Sequence, residues 1–314
     1  MTISDFGEGW VTSPVEQWAA ILLKSGILFW LGGLFAYLWH ISWTPDWALL
    51  FQWFIESKIP PVQALLGIFG LLVLVSVIAS VIQRLDLAVL YFLEGHRYWL
   101  PTLRDWRIHR HTQRFRRQYQ RFQELGISHK PLTPKERREQ AYLHEQLRHI
   151  PKHEGKLEPV MPTRLGNLLY AMEQRPAEKY GLDIFICWSH LWLVMPEHAR
   201  REVARARHHL DTAVRVWIWG ILFLGFSYWA WWAVLVSLIT LWISYQWMLQ
   251  AAKSYSWLLE TSFNLYRPLL YQALRFPLPA NTHEERAQGQ LLTAYLRHSA
   301  SDKKIAFTQS TTTD

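Results

Sequence analysis

The sequence predicts an all-α membrane protein: four transmembrane helices in two hairpins, a helical cytoplasmic domain between the hairpins, and a helical C-terminal tail. Three observations predict it. Apolar runs lie near both ends of a polar, basic middle, so a mean hydropathy of −0.03 averages two unlike parts. Of 33 Lys and Arg, 22 fall within residues 95–212. Nineteen Trp are present, many at the edges of apolar runs, where an indole buries its ring and keeps its N–H wet.

Residues 1–17 form an N-terminal segment, and 18–82 the first hairpin. Span one is about 18–40, "WAAILLKSGILFWLGGLFAYLWH", with Lys24 placed to snorkel toward headgroups. No basic region precedes it and no Ala-x-Ala follows it, so it reads as a retained span rather than a signal peptide. Span two is about 61–82, with Pro60 and Pro61 suiting its first turn. The stretch 216–249 holds two further spans. One helix of that length would run about 51 Å through a hydrocarbon core of about 30 Å. Gly225 and the Trp cluster at 229, 231 and 232 mark a turn, giving a second hairpin over 212–252.

Charge orients the spans. Residues 250–314 hold seven Lys and Arg, the loop 41–60 holds one, and 225–232 holds none. The positive-inside rule then places the middle, the tail and both termini in the cytoplasm.

The cytoplasmic domain, 83–211, is basic and helical. Eight Arg and one acid, Asp105, lie between 97 and 121, while Phe115, Tyr119 and Phe122 form a helical face. Arg97, Arg104, Arg107 and Arg110 are the candidates for contact with anionic lipid headgroups. The competing readings are a solvated basic helix and a nucleic-acid surface, and no nucleic-acid motif accompanies the charge. Thr133, Pro134 and Glu136 make a capping box for a helix reaching about 149. His144 and His149 are five apart and do not share a face for a metal.

Residues 161–188, "MPTRLGNLLYAMEQRPAEKYGLDIFICW", carry the densest pattern. Thr163 caps a helix whose stripe is Leu165, Leu168, Leu169 and Met172, with Pro176 expected to end it. Gly166 costs helix stability and so marks a close backbone approach. Arg164 in the first turn opposes the helix dipole and calls for a carboxylate or a bound anion. Gly181 suits a turn at positive φ. Residues 184–195 are too short to span and suit a buried or interfacial helix, followed by a polar helix over 196–211. Cys187, the lone cysteine, reads as a buried inert thiol, which leaves no disulfide and no multi-cysteine metal site. Over 253–298, Pro268 bends or ends one helix, and Thr282 with Glu285 caps another. Residues 299–314 read as a disordered tail.

The chain resembles a group of uncharacterised bacterial integral membrane proteins. The resemblance rests on Glu94-Gly95, on Pro162-Thr163-Arg164-Leu165-Gly166-Asn167, and on Tyr180-Gly181-Leu182-Asp183 followed by Trp188. It continues with Phe263-x-Leu265-Tyr266-Arg267, Pro277-Leu278-Pro279 and Glu284-Glu285-Arg286. It covers roughly 60–297. Lys179 stands where the pattern often has Arg, and Ser189-His190 where it has Pro-Arg. The resemblance implies multi-pass topology in a bacterial inner membrane and no particular activity.

No Walker loop, G-x-S-x-G, H-E-x-x-H or G-x-G-x-x-G is present, so the sequence favours a non-catalytic protein without cofactor or metal. The favoured function is a membrane-anchored interaction or scaffold module acting through the cytoplasmic domain, with a protein partner or a second copy. Arg164, Asn167, Tyr180, Gly181, Asp183 and Glu94 are the candidate interaction or structural site. On the structural reading, Asn167 and Asp183 bond backbone, and Arg164 pairs with Glu94 or Asp183. The alternative function is a homo-oligomeric pore lined by Ser76, Ser80, Ser237, Thr240 and Ser244.

Overall fold

The computed structural model describes residues 25–41, 61–95, 101–127, 133–148, 150, 152–153, 156–157 and 161–298. The chain there is almost wholly helical. Its helices are α1 (Ser25–Ile41), α2 (Pro61–Glu94), α3 (Pro101–Ile127), α4 (Pro134–Arg148), α5 (Arg164–Tyr180), α6 (Ile184–Val194), α7 (Glu197–Phe223), α8 (Trp232–Ala273) and α9 (Thr282–His298). Two-residue strands, β1 (Lys152–His153) and β2 (Lys156–Leu157), pair antiparallel between α4 and α5. The expectations for 1–17, the start of span one, the loop after Ile41, Arg97 and the tail 299–314 lie outside the described residues.

Among the described residues, two helical stretches are long and apolar enough to cross a membrane, Glu197–Tyr228 and Trp232–Ala273. The break that separates them is a 3-10 turn, Leu224–Tyr228, with Trp229–Trp231 following. This is where Gly225 and the Trp cluster placed it. Both helices run well past the hairpin bounds of 212 and 252, because polar helical segments continue each one.

The chain divides into two compact units, Met1–Val89 with Thr212–Gln246 and Leu90–Asp211 with Trp247–Asp314. In the first, α1 lies against the end of α7 and the 3-10 turn. The Phe29 ring meets Trp219 at 4.7 Å and Phe226 at 5.0 Å between centroids. Ser237 and Ser244 are fully buried here, packed within the chain. Outward faces stay apolar: Leu65, Phe69 and Trp242 are each about two-thirds exposed. Asp86 on α2 and Arg215 on α7 form an ion pair of 2.6 Å, with the Asp86 side chain 9% exposed. Each lies just beyond the core of its apolar run, where the sequence gives no reason to pair them.

In the second unit α3 packs on α4 through Phe115, Leu125, Leu143 and Leu147. Gln118 donates to Gln146 at 2.8 Å, and Arg121 reaches Glu139 at 3.1 Å. The capping box forms as expected. Thr133 N–H donates to Glu136 at 2.8 Å, and Glu136 N–H returns to Thr133 Oγ1 at 3.3 Å. The core of the unit is α5, α6 and α9, which pack on one another around Leu165, Leu182, Leu191 and Leu292, all fully buried.

Two local expectations are corrected. Pro176 does not end α5, which continues to Tyr180. Proline forfeits one helical bond, but the carbonyls of the last turn remain satisfied. Gly181, at φ 71°, donates to Ala177, and Leu182 donates to Pro176. Pro268, expected to bend or end its helix, lies inside α8 and does not end it. The cap of α9 is Asn281, not Thr282. Asn281 Oδ1 accepts from Glu284 N–H at 2.9 Å, and its amide donates back to Glu284. Glu285 is thereby freed to pair with Arg267 at 2.5 Å.

Candidate functional site

Thr163 ends an extended approach and caps α5, its Oγ1 accepting from Gly166 N–H at 2.9 Å. The same hydroxyl donates to the Glu94 carbonyl at 3.1 Å. Gly166 explains how the chain after α2 comes so close: a Cβ there would lie 2.1 Å from the Glu94 carbonyl oxygen. Asn167 is buried and uses its amide fully on backbone. Oδ1 accepts from Met161 N–H at 2.9 Å, while Nδ2 donates to the carbonyls of Met161 at 2.7 Å and Thr163 at 2.8 Å. Glu94-Gly95 and Pro162–Asn167, distant in sequence, thus form one joint.

The second half of the pattern forms another joint, gripped by α9. Gly289 on α9 meets the α5–α6 turn so closely that a Cβ would lie 1.8 Å from the Tyr180 carbonyl oxygen. Thr293 Oγ1 donates to the Gly181 carbonyl at 3.1 Å and accepts from Asp183 N–H at 3.2 Å. Asp183 caps α6 by accepting from Phe185 N–H at 2.9 Å, and its other oxygen takes Arg297 at 2.7 Å. The Tyr180 hydroxyl donates to Asn264, whose oxygen also accepts from Lys179 at 3.2 Å. Arg267 lies over the Tyr180 ring at 4.3 Å.

Arg164 belongs to neither joint. Its side chain is exposed and pairs with neither Glu94 nor Asp183, which corrects the structural reading of that residue. Asp183 is taken by Arg297, and the charges that act on the Glu94 carboxyl are those of Glu173 and Arg207. Arg104, Arg107 and Arg110 are exposed on α3, with Arg110 over the Trp106 ring at 5.4 Å.

Burial, and next the neighbouring Glu173 charge, push the Glu94 carboxyl up from 4.5 to about 7, against a weaker pull from Arg207. Burial raises Glu173 as well. Burial pushes the Cys187 thiol up to about 11, so its nucleophilic thiolate is scarce at neutral pH. Among the described residues no group of three or more His, Cys, Asp or Glu is placed to hold a metal. A cavity of about 410 Å³ opens elsewhere in this unit, lined by Glu145, Arg175, Lys253 and Trp257 among others. None of the six candidate residues lines it.

Sequence reasoning missed Thr293, Arg297, Asn264 and Gly289. Only Gly289 carried a readable signal, a glycine inside a helical pattern, the same cue that marked Gly166. No protein-family model matches the chain, no curated protein matches it, and no solved structure matches it.

Proposed function

We propose that this is a multi-pass inner-membrane protein whose second unit is a cytoplasmic interaction module, held at the membrane by two helical hairpins. The four-span layout, with both termini inside, draws on the apolar runs at 18–40 and 61–82 and on the concentration of basic residues in 95–212. The exposed apolar faces of α2 and α8 suit contact with lipid tails.

The observation that carries the interaction reading is α6. Its inner side, Ile184, Cys187 and Leu191, is buried in the unit. Its outer side carries two large apolar side chains one turn either side of exposed Ser189: Phe185 is 76% and Leu193 75% exposed. A short helix buried on one side that still exposes two large apolar side chains on the other suits a second surface against it. Meanwhile Asn167, Asp183 and Tyr180 spend their polar groups on holding α5, α6, α8 and α9 together, which suits a presenting scaffold. The partner is a protein or a second copy of the chain.

The test is purification of the full chain in mild detergent, with particle mass measured for wild type and for Phe185→Ser with Leu193→Ser. Both side chains lie outside the core, so the melting temperature should hold. The expected result is loss of a partner or of self-association in the double variant. A particle unchanged by the double variant sinks the α6 surface. A homo-oligomer that passes ions in liposomes moves the reading to a pore.

A further inference from the structure

The cavity of about 410 Å³ in the second unit plays no part in the α6 surface. A water molecule's share of liquid volume is about 30 Å³, so the space is far larger than the voids of a close-packed interior. Helices α4, α5 and α8 wall it. Glu145 comes from α4 and Arg175 from α5, while Lys253, Ser254, Trp257 and Leu258 come from one stretch of α8. Lys253 and Trp257 are four residues apart, as are Ser254 and Leu258, so each pair shares a helical face.

The two cations of the wall are held differently. Arg175 is fixed across α5 and α8: its Nη1 donates to Glu260 Oε2 at 2.7 Å, with side chains 18% and 20% exposed. Lys253 is exposed and has no carboxylate within ion-pair distance among the described residues. An unbalanced ammonium on the same wall as a fixed guanidinium favours an anion in the space between the helices. Glu145 lines the same cavity and Glu260 holds Arg175, so the wall suits one negative charge rather than the roughly two of a phosphate monoester. Trp257 is 55% exposed, and its indole offers a flat apolar face at the cavity wall.

We infer that this cavity is a binding site for a small aromatic carboxylate, its acid group met by Lys253 and Arg175 and its ring by Trp257. The volume falls within the range of about 300–1,000 Å³ of small-molecule sites, where apolar surface supplies affinity and a few polar groups fix orientation. A carboxylate matches both the guanidinium fork and the point charge of an ammonium. The inference stands apart from the α6 surface and does not depend on a protein partner.

The test uses the full chain in maltoside micelles. The probes are benzoate and indole-3-acetate, each compared with its neutral amide, benzamide and indole-3-acetamide. Binding is read by calorimetric titration and as the rise in melting temperature. The expected result is that at least one acid binds, about ten-fold or more tighter than its amide. Lys253→Gln should weaken that acid about ten-fold and leave the amide unchanged, whereas Trp257→Leu should weaken both. Lys135→Gln, exposed on α4 and outside the cavity lining, should change the affinity less than about two-fold. Both cavity variants alter exposed side chains, and their melting temperatures without ligand show that they fold. If Trp257→Leu does not fold, Lys253→Gln against Lys135→Gln decides alone. Failure of both acids to bind, an amide that binds as tightly as its acid, or equal loss from Lys253→Gln and Lys135→Gln overturns the inference.

Discussion

Gly289→Ala sets two effects against each other. Inside a helix the change to alanine gains about 1 kcal/mol in propensity. At this position the new Cβ would stand 1.8 Å from the Tyr180 carbonyl oxygen. Reaching ordinary van der Waals separation requires α9 to withdraw by about 1.5 Å. The obstacle is backbone, so no side-chain rotation relieves it. Overpacking of this kind costs about 1–3 kcal/mol. Withdrawal also stretches the Thr293 bonds to Gly181 and Asp183 and the Arg297 bond to Asp183, worth about 1 kcal/mol each. The loss outweighs the gain, for a net cost of about 2–3 kcal/mol. In a domain of this size that lowers the melting temperature by about 5–10 °C. The assay is thermal unfolding of the full chain in detergent, followed by Trp fluorescence, since Trp188 packs beside Phe263 in the same unit. Gly126→Ala is the internal comparison. Nothing lies within 4 Å of its added Cβ, so it should hold or raise stability. A Gly289→Ala protein as stable as wild type would refute the close approach of α9 to the α5–α6 turn.

Glu94 makes stability depend on pH. Its folded pKa, about 7, lies above its ordinary 4.5, so the stability it confers is full below about 4.5 and is lost as pH rises through 7. A shift of that size is worth about 3 kcal/mol, reduced to about 1–2 kcal/mol for a carboxyl still partly in contact with solvent. Melting curves should therefore show Glu94→Gln gaining on wild type between pH 5 and pH 8, and a constant gap would contradict this. Asn167→Ala removes three backbone bonds and strands the Met161 N–H, so it should cost about 2–4 kcal/mol by the same assay. Arg215→Met removes the 2.6 Å partner of the Asp86 carboxylate and should cost about 3–5 kcal/mol. Adding Asp86→Leu should recover most of that, and a double variant no better than the single would show that the pair does not couple α2 to α7.

What the sequence made legible was local. The capping box at Thr133, the cap at Thr163, the break near Gly225 and the Ile184–Val194 apolar helix all follow from residues a few positions apart. Gly166 was legible in kind, as a close approach, but not in partner, because nothing in the sequence ties it to Glu94. Pro176 looks like a stop when only the lost bond is counted, yet the carbonyls of the last turn are satisfied from Gly181 and Leu182. Two acids in succession, Glu284 and Glu285, fit the capping-box spacing from Asn281 and from Thr282 alike, and the structure uses Asn281. Arg164 was expected to meet a carboxylate or a bound anion; of the carboxylates named for it, Asp183 binds Arg297 instead. Long-range partners such as Thr293 and Arg215 are set by how helices assemble, which one sequence does not encode in any short pattern.

The topology is the claim on which the proposed function rests, and the lone cysteine makes it measurable. Cys187 is buried with a raised pKa, so it contributes little background to labelling. Tyr228, in the turn between α7 and α8, is 85% exposed, and Arg138 on α4 is exposed as well. Tyr228→Cys and Arg138→Cys, each probed with a membrane-impermeant maleimide in intact spheroplasts and after lysis, place the two regions. The expected result is labelling of residue 228 from outside and of residue 138 only after lysis. Labelling of both from the same side would contradict a cytoplasmic module carried on membrane hairpins.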